Sequence, residues 1–253
     1  MLHLSVVIPA YNEEQRIGRT LAETLDYLDA QDYSSEVIVV DDGSRDATEA
    51  ATLTFRSRAG GRLRLLKNPG NRGKGYSVRN GMLHADGEII LFCDADLSTP
   101  PEEIAKVIGP IEENRYDVVF GSRAIDISLI EGHQSRLRET IGKTGNLILL
   151  VLTGLRFKDT QCGFKAFRRA AALAAFGLQR IDGFGFDPEV LYIAQKQGWR
   201  LLETPVRWAH VEGSKVNAIA TPIKVLLEVS TIRWNDLLGR YDNRISRVTA
   251  QHP

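Results

Sequence analysis

The chain contains no run of roughly eighteen uncharged apolar residues, and its nearest approach, Leu147 to Leu152, is about a third of what a membrane-crossing helix needs. A spanning segment is therefore not expected, and the body should be soluble or rest on a surface. The first residues lack the basic stretch, apolar core and small-residue cleavage site of a secretory leader. The expected location is the cytoplasm, with peripheral contact at the inner face of a membrane as the way to meet lipid. Cysteine is scarce: Cys93 and Cys162 are the only two, each inside an apolar or motif-like segment, so buried free thiols are expected rather than a disulfide. Net charge is absent as well, with 32 Lys plus Arg against 32 Asp plus Glu, and no nucleic-acid partner is expected. After the strand-like run Leu4 to Ile8 the chain has neither the G-x-G-x-x-G spacing of a dinucleotide binder nor the Gly- and Lys-rich loop of a nucleotidyltransferase. Those absences argue against NAD and against a bound triphosphate. No repeat, low-complexity tract or linker is visible, so one compact body is the economical reading.

The zero net charge conceals an asymmetry. Residues 1–122 hold 13 basic against 20 acidic side chains and residues 123–253 hold 19 against 12, so the halves carry −7 and +7. A basic second half suits anionic lipid head groups or a phosphorylated acceptor, or is simply an unevenly solvated surface.

The first 121 residues alternate short β-branched runs with longer amphipathic ones, the pattern of a parallel α/β sheet. Strands are predicted at 4–9, 36–41, 62–66, 87–92 and 117–121, and helices at 13–29, 45–57, 72–85 and 101–113. Val37-Ile38-Val39-Val40 and Ile89-Ile90-Leu91-Phe92 are apolar throughout, as when helices cover both faces of a sheet. Regularity weakens after residue 122: an amphipathic helix at about 135–153, a motif-rich stretch at 158–167, a helix at 187–197, a short strand at 200–204 and a final helix at 221–238. In such sheets ligands gather beyond the carboxyl ends of the strands. That is where the polar clusters fall.

The first strand ends in Pro9-Ala10-Tyr11-Asn12-Glu13-Glu14. Tyr11 offers a ring to a base and Glu13 a carboxylate to its donors or those of a ribose, although Asn12-Glu13-Glu14 also reads as a helix cap. The second strand ends in Asp41-Asp42-Gly43-Ser44, two acids that would repel phosphate but accept from a uracil imide or ribose hydroxyls; an N-cap is the rival for Asp42. The fourth is followed by Asp94-Ala95-Asp96-Leu97-Ser98-Thr99-Pro100. Carboxylates at alternate positions of an extended chain converge on one side and repel unless a cation lies between them and a diphosphate. Mg²⁺ or Mn²⁺ is the expected cofactor, held by Asp94 and Asp96 together or by one of them while the other binds sugar and ribose, and offsetting charge on a leaving diphosphate. Asn71-Arg72-Gly73-Lys74-Gly75 opens the third helix with backbone amides and basic groups suited to an anion.

In order and spacing, Val6 to Glu14, Val40 to Thr48, Asn71 to Gly75 and Asp94-Ala95-Asp96 resemble glycosyltransferase family 2. The likeness extends to its dolichyl-phosphate β-glucosyltransferase branch through Asp94 to Pro100, Gly121-Ser122-Arg123, Asp159 to Phe167, Phe186-Asp187 and Glu212 to Val216, covering about residues 4 to 240. The resemblance implies an α/β GT-A fold, a mainly parallel central sheet flanked by helices, and an inverting transfer of a hexose from a nucleotide sugar, UDP-glucose first, to a polyprenyl or dolichyl phosphate. It implies a single domain at 1–240, with a nucleotide-sugar-binding half at 1–122, an acceptor-binding half at 123–240 and a C-terminal tail at 241–253. Pro9, Ala10, Tyr11, Glu13, Asp41, Asp42, Lys74, Asp94, Ala95 and Asp96 fall to the donor, and Asp94, Asp96, Asp187 and Arg123 to catalysis.

For the acceptor phosphate the basic candidates are Arg123, Arg136, Arg138 and Lys165, with Gln161 beside them; Arg136 and Arg138 equally decorate the polar face of a helix. Val211 to Lys215 resembles a loop that closes over the donor diphosphate, which brings Ser214 and Lys215 to phosphate. Asp187 reads as a base or as a helix N-terminal acid, and His210 as a phosphate or metal contact or a structural histidine. The helix at 135–153 and the final helix, through Ile223, Leu226, Leu227, Val229, Ile232, Trp234 and Leu237, could rest in a headgroup layer, pack on the domain or meet a second subunit. Relatives on this branch often carry a membrane-spanning segment, which this sequence lacks. The rival readings are the same mechanism with GDP-mannose or another donor, the same mechanism with a soluble or glycolipid hydroxyl as acceptor, and a nucleotide-sugar-binding module without turnover.

Overall fold

The computed structural model describes residues 2–131, 149–150, 152–210 and 220–242. Arg136, Arg138, Ser214, Lys215, most of the helix predicted at 135–153 and residues 243–253 lie outside the described residues. The elements run β1 (Leu4–Ala10), α1 (Ile17–Asp29), β2 (Ser35–Asp41), α2 (Thr48–Leu53), β3 (Leu63–Lys67), α3 (Lys74–His84), β4 (Ile89–Cys93), α4 (Ile104–Glu112), β5 (Val118–Ser122), β6 (Ile130–Glu131), β7 (Phe164–Arg168), α5 (Arg169–Leu178), α6 (Phe186–Lys196), β8 (Leu201–Pro205), β9 (Trp208–Ala209) and α7 (Ala220–Leu237).

Seven strands form one sheet in the order β3-β2-β1-β4-β7-β5-β8, and β6 pairs with β9 apart from it. Within the large sheet every pairing is parallel except those of β7, which runs antiparallel between β4 and β5. Period-two alternation sorts the side chains onto two cores. Val6 and Ile8 of β1, Val37 and Val39 of β2, and Leu91 of β4 pack with Leu21 and Leu25 of α1 and Val107 and Ile111 of α4. Val7, Ile38, Val40, Ile90 and Phe92 face the other way, onto Val78 and Met82 of α3, Phe176 of α5, Val190 of α6 and Val229 and Ile232 of α7.

Besides the two-residue strands β6 and β9, two elements were not expected from sequence. The stretch read only as motif-rich contains β7, whose Phe164 and Ala166 join one core and Phe167 the other. A lysine at its centre, Lys165, hides the strand pattern, and it is tolerated there only because its charge is paired. The second is α5, an alanine-rich helix buried on most sides at Ala171, Ala172, Ala174 and Ala175, so it lacks the polar face that marks an amphipathic helix. Helix α1 starts at Ile17 rather than at residue 13, because Glu13 N–H bonds Thr48 Oγ1 (2.7 Å) and the chain turns before it coils. Tyr241, the first residue of the tail expected at 241–253, is fully buried, with its hydroxyl donated to Glu189 (2.5 Å). Both cysteines are buried and free.

Candidate active site

The carboxyl ends of β1, β2 and β4 and the start of α3 enclose a cleft of about 360 Å³. Pro9, Ala10, Tyr11, Glu13, Asp42, Lys74, Asp94, Ala95 and Asp96 all line it, as the strand-end argument requires. Asp41 does not: it is 3% exposed and its Oδ1 accepts from Ser44 N–H (3.1 Å), so it shapes the turn. At β1 the backbone reverses at Asn12 (φ 54°), braced where Asn12 N–H donates to Ser44 Oγ (2.9 Å) and Arg45 N–H to Asn12 Oδ1 (2.7 Å).

Asp42 is more constrained than its place in the lining suggests. Its carboxylate accepts from Asn68 Nδ2 (2.7 Å), Arg72 N–H (2.9 Å) and Gly73 N–H (2.8 Å). It therefore pins the Asn71-to-Lys74 turn against the sheet. Gly43 (φ 71°) must be glycine, since a Cβ there would lie 2.6 Å from the Gly70 backbone.

At β4, Lys74 Nζ donates to Asp94 Oδ1 (2.6 Å), and Asp96 Oδ1 accepts from Ser98 N–H (3.0 Å). Burial pushes the Lys74 ammonium down, but the charges of Asp94 and Asp187 outweigh it and hold the group above the usual lysine range. The turn is tied down from behind by Thr20, whose hydroxyl donates to the Ala95 carbonyl (2.7 Å). Gly163 closes on Asp94 so tightly that a Cβ would stand 2.1 Å from Oδ2.

The acceptor-side candidates are paired among themselves. Arg123 makes a bidentate pair with Asp159, Nε to Oδ2 at 2.7 Å and Nη2 to Oδ1 at 2.9 Å, and its guanidinium lies 5.6 Å from the Trp208 ring centre. The Asp159 charge raises Arg123 above its usual range, and the field of Asp94 adds to the shift. Burial pushes Asp159 up, yet the Arg123 charge and hydrogen bonds prevail and leave its carboxyl below the usual range. Lys165 is fully buried, its ammonium shared between the Cys162 carbonyl and Asp187 and lying 5.3 Å from the Phe92 ring centre. Asp187 is 3% exposed, and burial raises its carboxyl despite Lys165 and Lys74. In this arrangement Lys165 neutralises Asp187 rather than facing an incoming phosphate.

The sequence model of Glycosyl transferase family 2 matches residues 5–174. The chain belongs to that family. Within it the chain groups with the dolichyl-phosphate β-glucosyltransferases. It is 36% identical over 241 residues to one of Trichomonas vaginalis (91% of this chain, 73% of the relative), 41% identical over 229 residues to that of Drosophila melanogaster (85% and 69%), and 36% identical over 266 residues to that of Saccharomyces cerevisiae (96% and 78%). Among solved structures it is similar to glucosyl-3-phosphoglycerate synthase of Mycobacterium tuberculosis, in complex with Mn²⁺, UDP and glucosyl-3-phosphoglycerate, with a TM-score of 0.67 and 22% identity over 91% of this chain and 80% of that one. The GT-A fold implied by the sequence motifs is the fold observed.

The glycosyltransferase cleft also contains residues that the motifs did not single out. Arg16 lines it, donating to both oxygens of Glu13 (2.6 and 2.7 Å); its i+3 spacing from Glu13 was the available signal. Ser77 and Phe184 line it too, and nothing local in the sequence marks either. Gln161 is exposed beside Asp159, to which its N–H donates (3.2 Å), and His210 is exposed with its ring centre 6.1 Å from that of Trp208. Burial pushes the Cys162 thiol up to about 12 and Cys93 higher still, which leaves both unreactive at neutral pH.

Proposed function

We propose that this glycosyltransferase moves glucose from UDP-glucose to a polyprenyl phosphate of the dolichyl type, inverting the anomeric carbon in one displacement. The observation that carries the reading is the convergence of Asp94 and Asp96, beyond β4, on one cleft with Tyr11, Asp42 and Lys74. The relatives named above are dolichyl-phosphate β-glucosyltransferases, and the fold neighbour was crystallised with UDP and Mn²⁺.

Mg²⁺ or Mn²⁺ fits these residues. Among the described residues no group of three or more His, Cys, Asp or Glu side chains forms a metal cage. Two carboxylates alone suit a hard cation that keeps waters and completes its shell with substrate phosphate oxygens. Asp94 and Asp96 would hold it, and it would supply Lewis-acid neutralisation of the departing diphosphate. Lys74 adds a fixed positive charge beside Asp94, and Tyr11, Glu13 and Arg16 border the nucleoside end. An acceptor phosphate is mostly doubly ionised at neutral pH. Its oxygen forms the new bond to the anomeric carbon while the bond to the diphosphate breaks, both electrons leaving with UDP. The protein's task on that side is orientation, for which Arg123, with guanidinium donors left beyond its pair with Asp159, is the cation assigned in this reading.

The acceptor's membrane is met peripherally in this reading. Among the described residues no helix is long and apolar enough to cross a bilayer. Helix α7 buries Val225, Val229 and Ile232 but exposes Leu227, Trp234 and Leu237, followed by exposed Leu238. That outer face suits a headgroup layer.

Incubation with labelled UDP-glucose, dolichyl phosphate and Mn²⁺ should yield a lipid-extractable glucosyl product and UDP in equal amounts, and neither after chelation. Transfer only to a water-soluble acceptor would refute the lipid assignment, and full turnover in chelator would refute the metal.

A further inference from the structure

Between α5 and α6 the chain runs Ile181-Asp182-Gly183-Phe184-Gly185, and Phe184 lines the cleft while 38% exposed. It and Tyr11 are the aromatic side chains of a lining otherwise made of charged, polar and small residues. The segment is pressed against the start of α3: a Cβ on Gly73 would lie 2.4 Å from the Asp182 carbonyl oxygen, and one on Gly75 would lie 2.8 Å from that of Gly183. Between those glycines stands Lys74, whose ammonium holds Asp94. Phe184 therefore lines the cleft from a segment packed against both residues that flank Lys74, and the group beyond a diphosphate held at Asp94 would sit in the same cleft.

The far side of the segment is clamped by two carboxylates. Arg180 and Ile181 N–H groups donate to buried Glu189 (3.0 and 2.8 Å). Gly185 N–H donates to Glu228 Oε2 (2.7 Å), brought in by α7. The Glu228 side chain fills the space beside both glycines, since a Cβ at Gly183 would lie 2.1 Å from its Oε1 and one at Gly185 2.7 Å from its Cβ. An aromatic held so firmly at a cleft rim, and not used to fill the core, is fixed for contact with something that enters.

We propose that Phe184 is a specificity-determining residue that packs on the apolar C–H face of the donor's sugar ring, and that Glu228 is the positioning residue that holds it there. The inference rests on the donor reading above. The glucopyranose of an α-linked donor carries its ring hydroxyls equatorially, so the face opposite its axial diphosphate presents unbroken C–H bonds, whereas an axial hydroxyl at C2 or C4 interrupts that face. A flat ring against that face gains dispersion and excludes water, and it discriminates against the axial epimers.

The test measures steady-state turnover on a panel of UDP-glucose, UDP-galactose and GDP-mannose, together with UDP binding and thermal melting. Phe184→Ala should raise KM for the glucose donor about three- to tenfold, the scale of one aromatic contact. Its kcat should stay within about twofold, its UDP affinity unchanged and its preference for glucose over the axial epimers reduced, while Phe184→Trp keeps that preference. Glu228→Ala should reproduce the KM rise, and the double variant should be no worse than Phe184→Ala, because both remove one contact. Glu228→Gln, which still accepts from Gly185, should stay close to wild type. An unchanged KM in Phe184→Ala would overturn the sugar contact, and a parallel loss of UDP affinity would place Phe184 at the nucleoside instead. Additive effects in the double variant, or a lowered melting point in Glu228→Ala without a KM change, would reduce Glu228 to a purely structural residue and overturn its positioning role. A wild-type protein that turns over no donor in the panel would overturn the donor reading itself, and this proposal with it.

Discussion

At the mouth of the cleft Asp94 and Asp96 stand open with one lysine and one backbone amide on them, whereas across from them Arg123 and Lys165 are each already joined to a carboxylate. The donor side is arranged from behind: Thr20 holds the Ala95 carbonyl and Asp42 holds the turn before α3, so the cleft-facing carboxylates keep capacity for a ligand. The acceptor side spends its charges on itself. Buried ion pairs of this kind gain little net stability over an apolar core, but losing one partner is costly because the other is stranded. The contrast teaches that an acidic residue's role follows from what its carboxylate already bonds, not from its being acidic.

The sharpest way to break this contrast is at the open carboxylates. Asp96→Asn, and separately Asp94→Asn, should lower turnover by roughly 10³-fold, the scale of lost Lewis-acid stabilisation. The melting point should move by no more than a few degrees, since Asp96 accepts from a backbone amide and Lys74, on losing the charge of Asp94, keeps those of Asp187 and Asp96. Turnover against Mn²⁺ concentration and a melting curve decide it: a variant that unfolds would show that the donor side is as internally committed as the acceptor side.

The next effect tests the closed pair. Asp187→Asn strands the fully buried Lys165 ammonium and should cost about 3–5 kcal/mol in urea unfolding. Lys165→Met should cost less, because Asp187, already raised by burial, takes up a proton instead of keeping its charge. The sign of the pH dependence follows. A carboxyl raised in the folded state contributes stability that is complete below its unfolded pKa, about 3.9, and is lost as pH rises through the higher folded value. In Lys165→Met that loss should occur at higher pH than in wild type, so the variant regains stability as the solution is acidified toward that window. Equal losses for the two substitutions at every pH would mean that the pair has no stranded-charge asymmetry.

Arg123 and Asp159 give a smaller effect of opposite sign. Asp159 is held below the usual carboxylate range, so its stabilising contribution is present above about pH 3.9 and fades as pH falls through the folded value. Asp159→Asn should lower stability at neutral pH by about 2–3 kcal/mol and flatten the acid limb. Arg123→Lys keeps the charge but loses the two-pronged geometry, and should raise KM for dolichyl phosphate more than KM for the donor. Stability curves at several pH values and the two KM values check both.

Much of the donor side was legible because strand ends and turns obey local rules. Five apolar runs gave five strands within two residues, and polar residues at three of their carboxyl ends form the cleft. The illegible parts depend on distant partners. Nothing near Lys165 announces a strand, since what permits a lysine there is Asp187, twenty-two residues on. Nothing near Gly163 announces the approach of Asp94, and Asp41 and Asp42 are indistinguishable in sequence although one turns the chain and the other pins a loop. Phe184 reached the cleft through glycines whose necessity is set by a glutamate on the last helix.

The smallest effect concerns the outer face of α7, which the cleft chemistry does not use. Leu227, Trp234, Leu237 and Leu238 are 65%, 63%, 75% and 51% exposed, and among the other exposed side chains nearby, Ser230, Thr231, Arg233, Arg240 and Asp242, the one acid is already paired with Lys196. An amphipathic face with an exposed indole and flanking arginines gains from a headgroup layer, whereas in water it gains nothing. Trp234→Ala should therefore shift stability by no more than about 0.5 kcal/mol and leave turnover of a detergent-dispersed acceptor unchanged. Turnover of the same acceptor embedded in anionic vesicles should fall a few-fold, and vesicle co-sedimentation with it. If both assays fell together, α7 would be acting through Glu228 and the cleft; if neither moved, membrane contact would have to come from elsewhere in the chain.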